Sequence, residues 1–243
     1  LVCFARDALR GRVPLYVGVS HSSTSGAVRR ARLAEKLGAD VIVSLAPYYI
    51  SPGQDDIVRH FQALAAATVL PIIVYQYPGI VKASIELATY VKLATIPGIV
   101  GVKDSLADAT EFYHMVLTLR TNGRDFRLFL GSDVLIGTAV LMGAQGMVPS
   151  LSNVAAPYIV EAYEAAVAGE WERSSAAQAK ASAMKAIYRV VNGDGPFDGF
   201  LAGLKCALTL LGVEAGVPAA PLRTWTDDEA KAMEQVLRSG GLL

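Results

Sequence analysis

Ile99-Val100-Gly101-Val102-Lys103-Asp104-Ser105 is the stretch that decides how this chain is read. It is an apolar, β-branched run without polar alternation, the pattern of a strand covered on both faces as in parallel sheets. Stepping back 28 positions from Lys103 reaches Tyr75, at the end of the similar run Pro71-Ile72-Ile73-Val74-Tyr75. The same kind of run recurs upstream at Pro14 to Gly18 and Val41 to Leu45, and downstream at Phe126 to Gly131 and Gly146 to Pro149. Short apolar runs alternating with helix-period segments every 25 to 30 residues or so are the signature of βα units on a parallel sheet.

The intervening helices show legible ends. Ser84 is placed to cap a helix over Ile85 to Thr95 that Pro97-Gly98 stops, with Glu86 in its first turn, and Asn153 to cap one ending at Gly169. In the latter, Ile159, Ala162, Tyr163 and Ala166 form the buried stripe. Beyond Gly169 the strand pattern stops, and helix-like stretches follow at Trp171 to Val191, Phe200 to Leu211 and Asp227 to Arg238.

The expected architecture is α/β: a TIM (β/α)₈ barrel over residues 1–169, with strands three to eight visible, and a C-terminal helical region over 170–243. The first two βα units, about 60 residues, would precede Leu1, where Leu1-Val2-Cys3-Phe4-Ala5 reads as the middle of an amphipathic helix. An open doubly wound sheet is the alternative.

Lys+Arg and Asp+Glu number 22 each, so no net field attracts nucleic acid or an anionic membrane. Cys3 and Cys206 form no CxxC, and His21, His60 and His114 lack ligand spacing, so no metal is expected. No apolar run approaches the roughly 20 residues of a membrane span. A cytoplasmic enzyme acting on a small molecule is the expectation.

Lys103 is the residue with the most chemistry in it. Burial penalises an ammonium and can lower a lysine pKa by up to about 3 to 5, and a neutral lysine amine attacks a carbonyl to form a Schiff base. Barrel active sites are built from the C-terminal ends of the strands, where Lys103 falls. Alternatively it turns outward to pair with Asp104. Tyr75, one repeat earlier, could face it and move protons, or serve only as a core tyrosine. Pro47-Tyr48-Tyr49 follows another strand end and could close the site or fill an interface. In Leu130-Gly131-Ser132-Asp133 and Gly143 to Ser150, glycines let backbone approach a ligand or pack a helix closely. Dinucleotide, phosphate-loop, zinc-protease and serine-hydrolase motifs are all missing.

In this order the segments resemble the dihydrodipicolinate synthase and N-acetylneuraminate lyase family of class I aldolases, over essentially the whole chain. Pro47-Tyr48-Tyr49, Tyr75-Gln76-Tyr77-Pro78 and Gly101-Val102-Lys103-Asp104 look like its Pro-Tyr-Tyr, Tyr-Asn-x-Pro and Gly-x-Lys-(Asp/Glu) motifs. The resemblance implies Lys103 as the Schiff-base lysine, Tyr75 as the proton relay, and Val148 and Gly131 as pocket lining. It also implies that Tyr49 reaches toward a neighbouring subunit in a homotetramer built from dimers, and that no cofactor is needed.

The departures narrow the substrate. The family's Gly-Thr-Thr-Gly-Glu carboxylate loop would lie upstream of Leu1. The arginine that holds the second substrate of the synthases is replaced by Ile80, and the lysine-sensing Asn and Glu by Ser22 and Gly26. Gln76 for Asn, with Lys82 nearby, suggests a variant pocket. The expected reaction is aldol cleavage, condensation or dehydration of pyruvate or a 2-keto-3-deoxy sugar acid. The rivals are dihydrodipicolinate synthase proper and a metabolite-binding barrel that has lost turnover.

Overall fold

The computed structural model describes residues 1–106, 108–120, 125–193 and 197–243. Its elements run α1 (Val2–Leu9), β1 (Tyr16–Gly18), α2 (Thr24–Lys36), β2 (Val41–Leu45), α3 (Gln54–Ala65), β3 (Ile72–Gln76), α4 (Pro78–Val81), α5 (Leu87–Ala94), β4 (Ile99–Asp104), α6 (Ala109–Arg120) and β5 (Arg127–Leu130). There follow α7 (Ile136–Met142), β6 (Gly146–Met147), α8 (Ser152–Val167), α9 (Trp171–Ala183), a 3₁₀ turn at Met184–Ala186, α10 (Ile187–Val190), α11 (Asp198–Leu210) and α12 (Asp227–Ser239).

The strands lie in sequential order β1 to β6, and the pairs from β1 through β5 are parallel. A doubly wound sheet would reverse direction at a switch point, so this order rules out that alternative and matches successive barrel strands. All six expected strands are present, within one to two residues of their anticipated ends.

The described residues form two compact units, Leu1–Gly131 with Met142–Gly146, and Ser132–Leu141 with Met147–Leu243. In the first, Ile42, Ile72 and Leu128 from the strands and Phe61, Leu93 and Phe112 from the helices are wholly or almost wholly buried. Ser23 opens α2, its Oγ accepting from the Gly26 N–H at 3.3 Å. Helix α1 buries none of its residues. In the second unit, Leu151, Ala162, Ala181, Ile187, Ala207 and Met233 share one core. There α12 is closed at its start by a reciprocal pair: Thr226 Oγ1 accepts from Glu229 N–H, and the Glu229 carboxylate accepts from Thr226 N–H.

Two expected caps are corrected. Helix α5 starts at Leu87 behind Glu86, because the Ser84 hydroxyl is engaged by Gln76 Nε2 at 3.2 Å. Asn153 lies inside α8, donating from Nδ2 to the Ser150 carbonyl, and the backbone at Ala155 leaves helical geometry. Pro157 accounts for this kink, since its ring crowds the Asn153 carbonyl and it has no N–H to donate.

Candidate active site

Parallel pairing of β3 with β4 sets Tyr75 directly opposite Lys103. The two side chains meet: Lys103 Nζ stands over the Tyr75 ring, 4.0 Å from its centroid. The Tyr77 ring follows 6.0 Å from that of Tyr75, tilted by 32°. Gly131 closes the other side, its N–H donating to the Asp104 carbonyl at 2.6 Å. A Cβ there would lie 3.1 Å from Lys103 Cε and collide with Ser105 Oγ, so the lysine stem and the backbone after β5 approach as only glycine allows. Lys103 is half-buried rather than buried, a correction to the fully desolvated lysine expected from the strand pattern.

The other expected residues fall elsewhere. Tyr49 has a left-handed backbone, φ 83°, and is 95% exposed, so it stands apart from the Lys103 cluster. Val148 belongs to the second unit and is half-exposed. The segment after it is held by Asp133, whose Oδ1 accepts from Leu151 N–H at 3.0 Å while Oδ2 accepts from the Tyr188 hydroxyl at 2.8 Å. Burial first, then the Asp133 carboxylate, pushes the Tyr188 phenol upward, keeping it a donor. Asp133 was quoted only as a neighbour of Gly131, and nothing in its spacing announced this anchoring.

Gln76 does not shape a variant pocket with Tyr75. Its Oε1 accepts from Ile85 N–H at 3.2 Å and its Nε2 donates to Ser84, on the helix side of the strand. Successive strand residues face opposite ways, which separates Gln76 from Tyr75 and likewise Asp104 from Lys103. Lys82 is exposed in a left-handed conformation, φ 58°, and Ile80 is also exposed.

Asp104, read from the sequence only as a partner for an outward-turned Lys103, has a different role in the structure. It is 1% exposed, and only its Oδ1 has a hydrogen-bond partner among the described residues, the Leu106 N–H at 3.3 Å. Burial pushes its carboxyl from 3.8 up to about 6, against the opposing pull of that N–H and of Lys103. Because the folded value is the higher one, ionising Asp104 opposes folding, and its destabilisation sets in as pH rises from near 4 through 6. Asp104→Asn is therefore expected to raise the unfolding free energy at about pH 7.5, by at most about 3 kcal/mol, and to gain nothing near pH 4. Denaturant titrations at both pH values check this; an equal effect at the two would contradict it.

Among the described residues no His/Cys/Asp/Glu group could hold a metal ion, and no helix is long and apolar enough to cross a membrane.

A model of the dihydrodipicolinate synthetase family matches residues 1–239. An uncharacterized DapA-like lyase of Halobacterium salinarum is 34% identical over 237 residues, covering 98% of this chain and 74% of that protein. Dihydrodipicolinate synthase from Bacteroides thetaiotaomicron superposes with a TM-score of 0.90 at 31% identity, over 98% of this chain and 79% of that one. The chloride-inhibited enzyme from Acinetobacter baumannii complexed with pyruvate gives 0.88 at 26% identity, over 100% and 80% respectively.

Proposed function

Because the chain belongs to the dihydrodipicolinate synthetase family of class I lyases, we propose that Lys103 forms a Schiff base with a 2-oxo acid and Tyr75 carries the protons. The observation that carries this reading is the contact of Lys103 Nζ with the Tyr75 ring on paired strand ends, where barrel chemistry resides.

The neutral amine adds to the C2 carbonyl of the 2-oxo acid, the carbinolamine loses water, and an iminium forms. That iminium withdraws electrons from C3, so a C3 proton or a C3–C4 bond can leave its electron pair in an enamine. In this reading Tyr75 donates toward the departing hydroxyl and takes the proton back. Gly131 keeps the space beside the lysine stem clear, and the exposed Tyr49 fits coverage by a neighbouring copy in a homotetramer.

Pyruvate is favoured as the 2-oxo acid, or a 2-keto-3-deoxy sugar acid. An apolar, exposed Ile80 offers no cation for a second carboxylate, which argues against the pairing of pyruvate with aspartate semialdehyde. A coupled assay with that pair, run beside sugar-acid cleavage, separates the two.

Borohydride in the presence of pyruvate should fix the imine and add the reduced substrate's mass to the peptide carrying Lys103. An unmodified peptide at saturating pyruvate overturns the mechanism. Tyr75→Phe keeps the ring under Nζ and removes only the hydroxyl. It should lower kcat by about 10²- to 10³-fold while still trapping the imine on prolonged incubation.

A further inference from the structure

On the helix side of β4, behind Lys103, lies a cavity of about 260 Å³. Asp104 and Tyr90, 1% and 3% exposed, both line it. Asp104 Oδ2 and Tyr90 Oη are buried polar atoms with no hydrogen-bond partner among the described residues. Leaving two such groups unsatisfied in one place costs stability that folding rarely tolerates without a role. Glu86 and Glu111 stand at the rim, Ile85 and Met115 form apolar walls, and among the described residues no lysine or arginine lines the cavity.

We propose that this cavity is a binding site for a small aliphatic ammonium ion. Its –NH₃⁺ would donate to Asp104 Oδ2 and Tyr90 Oη, the two buried atoms without a partner, after a small side-chain shift that turns them into the cavity, and its alkyl chain would lie against Ile85 and Met115. The acidic rim attracts a cation, and the apolar wall gives an alkyl chain an advantage over a bare ion. Among the described residues the acids do not converge as a metal ion requires, which also favours a ligand carrying one charge at one end. The site lies on the opposite face of β4 from Lys103.

The test is saturation-transfer NMR and thermal shift on the full chain with propylammonium chloride, at constant ionic strength and without any 2-oxo acid that could condense with the amine. Propylammonium should bind saturably and raise the melting temperature, whereas potassium chloride and 1-propanol should not. Tyr90→Phe removes an unbonded hydroxyl, so the fold should survive, and binding should weaken about tenfold; Asp104→Asn should weaken it beyond saturation. Glu111→Gln, at the exposed rim, should weaken it by a small factor that high salt abolishes. No propylammonium binding, an equal response to potassium, or undiminished binding in a folded Asp104→Asn variant would each overturn the proposal, the first leaving the cavity to water alone.

Discussion

Lys103→Ala is expected to lower kcat/KM by about 10⁴-fold or more while leaving the melting temperature nearly unchanged. The loss is large because no other group can replace the covalent electron sink: without the iminium, the C3 carbanion must form beside a neutral carbonyl. Removing a covalent nucleophile elsewhere costs on the order of 10⁶ in turnover. The fold should tolerate the change, since the lysine is half-buried and its principal contact is the face of one ring. Lys103→Arg should be as inactive, because a guanidinium stays protonated and cannot attack a carbonyl. Steady-state kinetics with circular dichroism decides the matter; an arginine variant retaining more than about a tenth of the activity is incompatible with the imine.

Gly101→Ala should instead damage the fold. A Cβ on Gly101 would collide with the Arg127 carbonyl on β5, its partner in the ladder, and stand 3.0 Å from both Arg127 Cβ and Ile73 Cδ1. The obstacle is backbone, so relief means separating β4, which carries the lysine, from β5. Overpacking of this kind costs about 1 to 3 kcal/mol, and the required strand movement places Gly101→Ala at the upper end, about 5 to 10 °C in melting temperature. Gly18→Ala is the matched control: a Cβ there meets nothing within 4 Å, so a loss below about 1 kcal/mol is expected. Comparable losses at the two positions would show that the close approach at Gly101 is not what matters.

Strand existence and order were legible because β-branched runs such as Ile72-Ile73-Val74 and Ile99 to Val102 have no competing period, and Tyr75 and Lys103 fall near the ends of two such runs at an offset of 28 positions. The register of β3 on β4 turned that offset into contact. Helix starts were less legible. Ser84 has the chemistry of a cap, but its hydroxyl is taken by Gln76, a partner eight residues away that no local rule identifies. Gln76 itself was misassigned against a signal that was present: strict alternation from Tyr75 already turned it to the other face. Asp104 was noticed as a partner for Lys103, although the same alternation separates them. It shares a cavity with Tyr90 and Met115, which helices α5 and α6 bring in from distant sequence.

Consecutive placement of Lys103 and Asp104 on one strand carries a thermodynamic obligation. On the proposed mechanism, any effect of imine formation at Lys103 on the neighbouring carboxyl, which burial raises to about 6, is a coupling free energy shared by the two equilibria. Whatever factor imine formation applies to proton binding at Asp104, proton binding returns to 2-oxo acid affinity, in the same sense and size. On that mechanism the strand is a reciprocal link between acidity on one face and 2-oxo acid capture on the other.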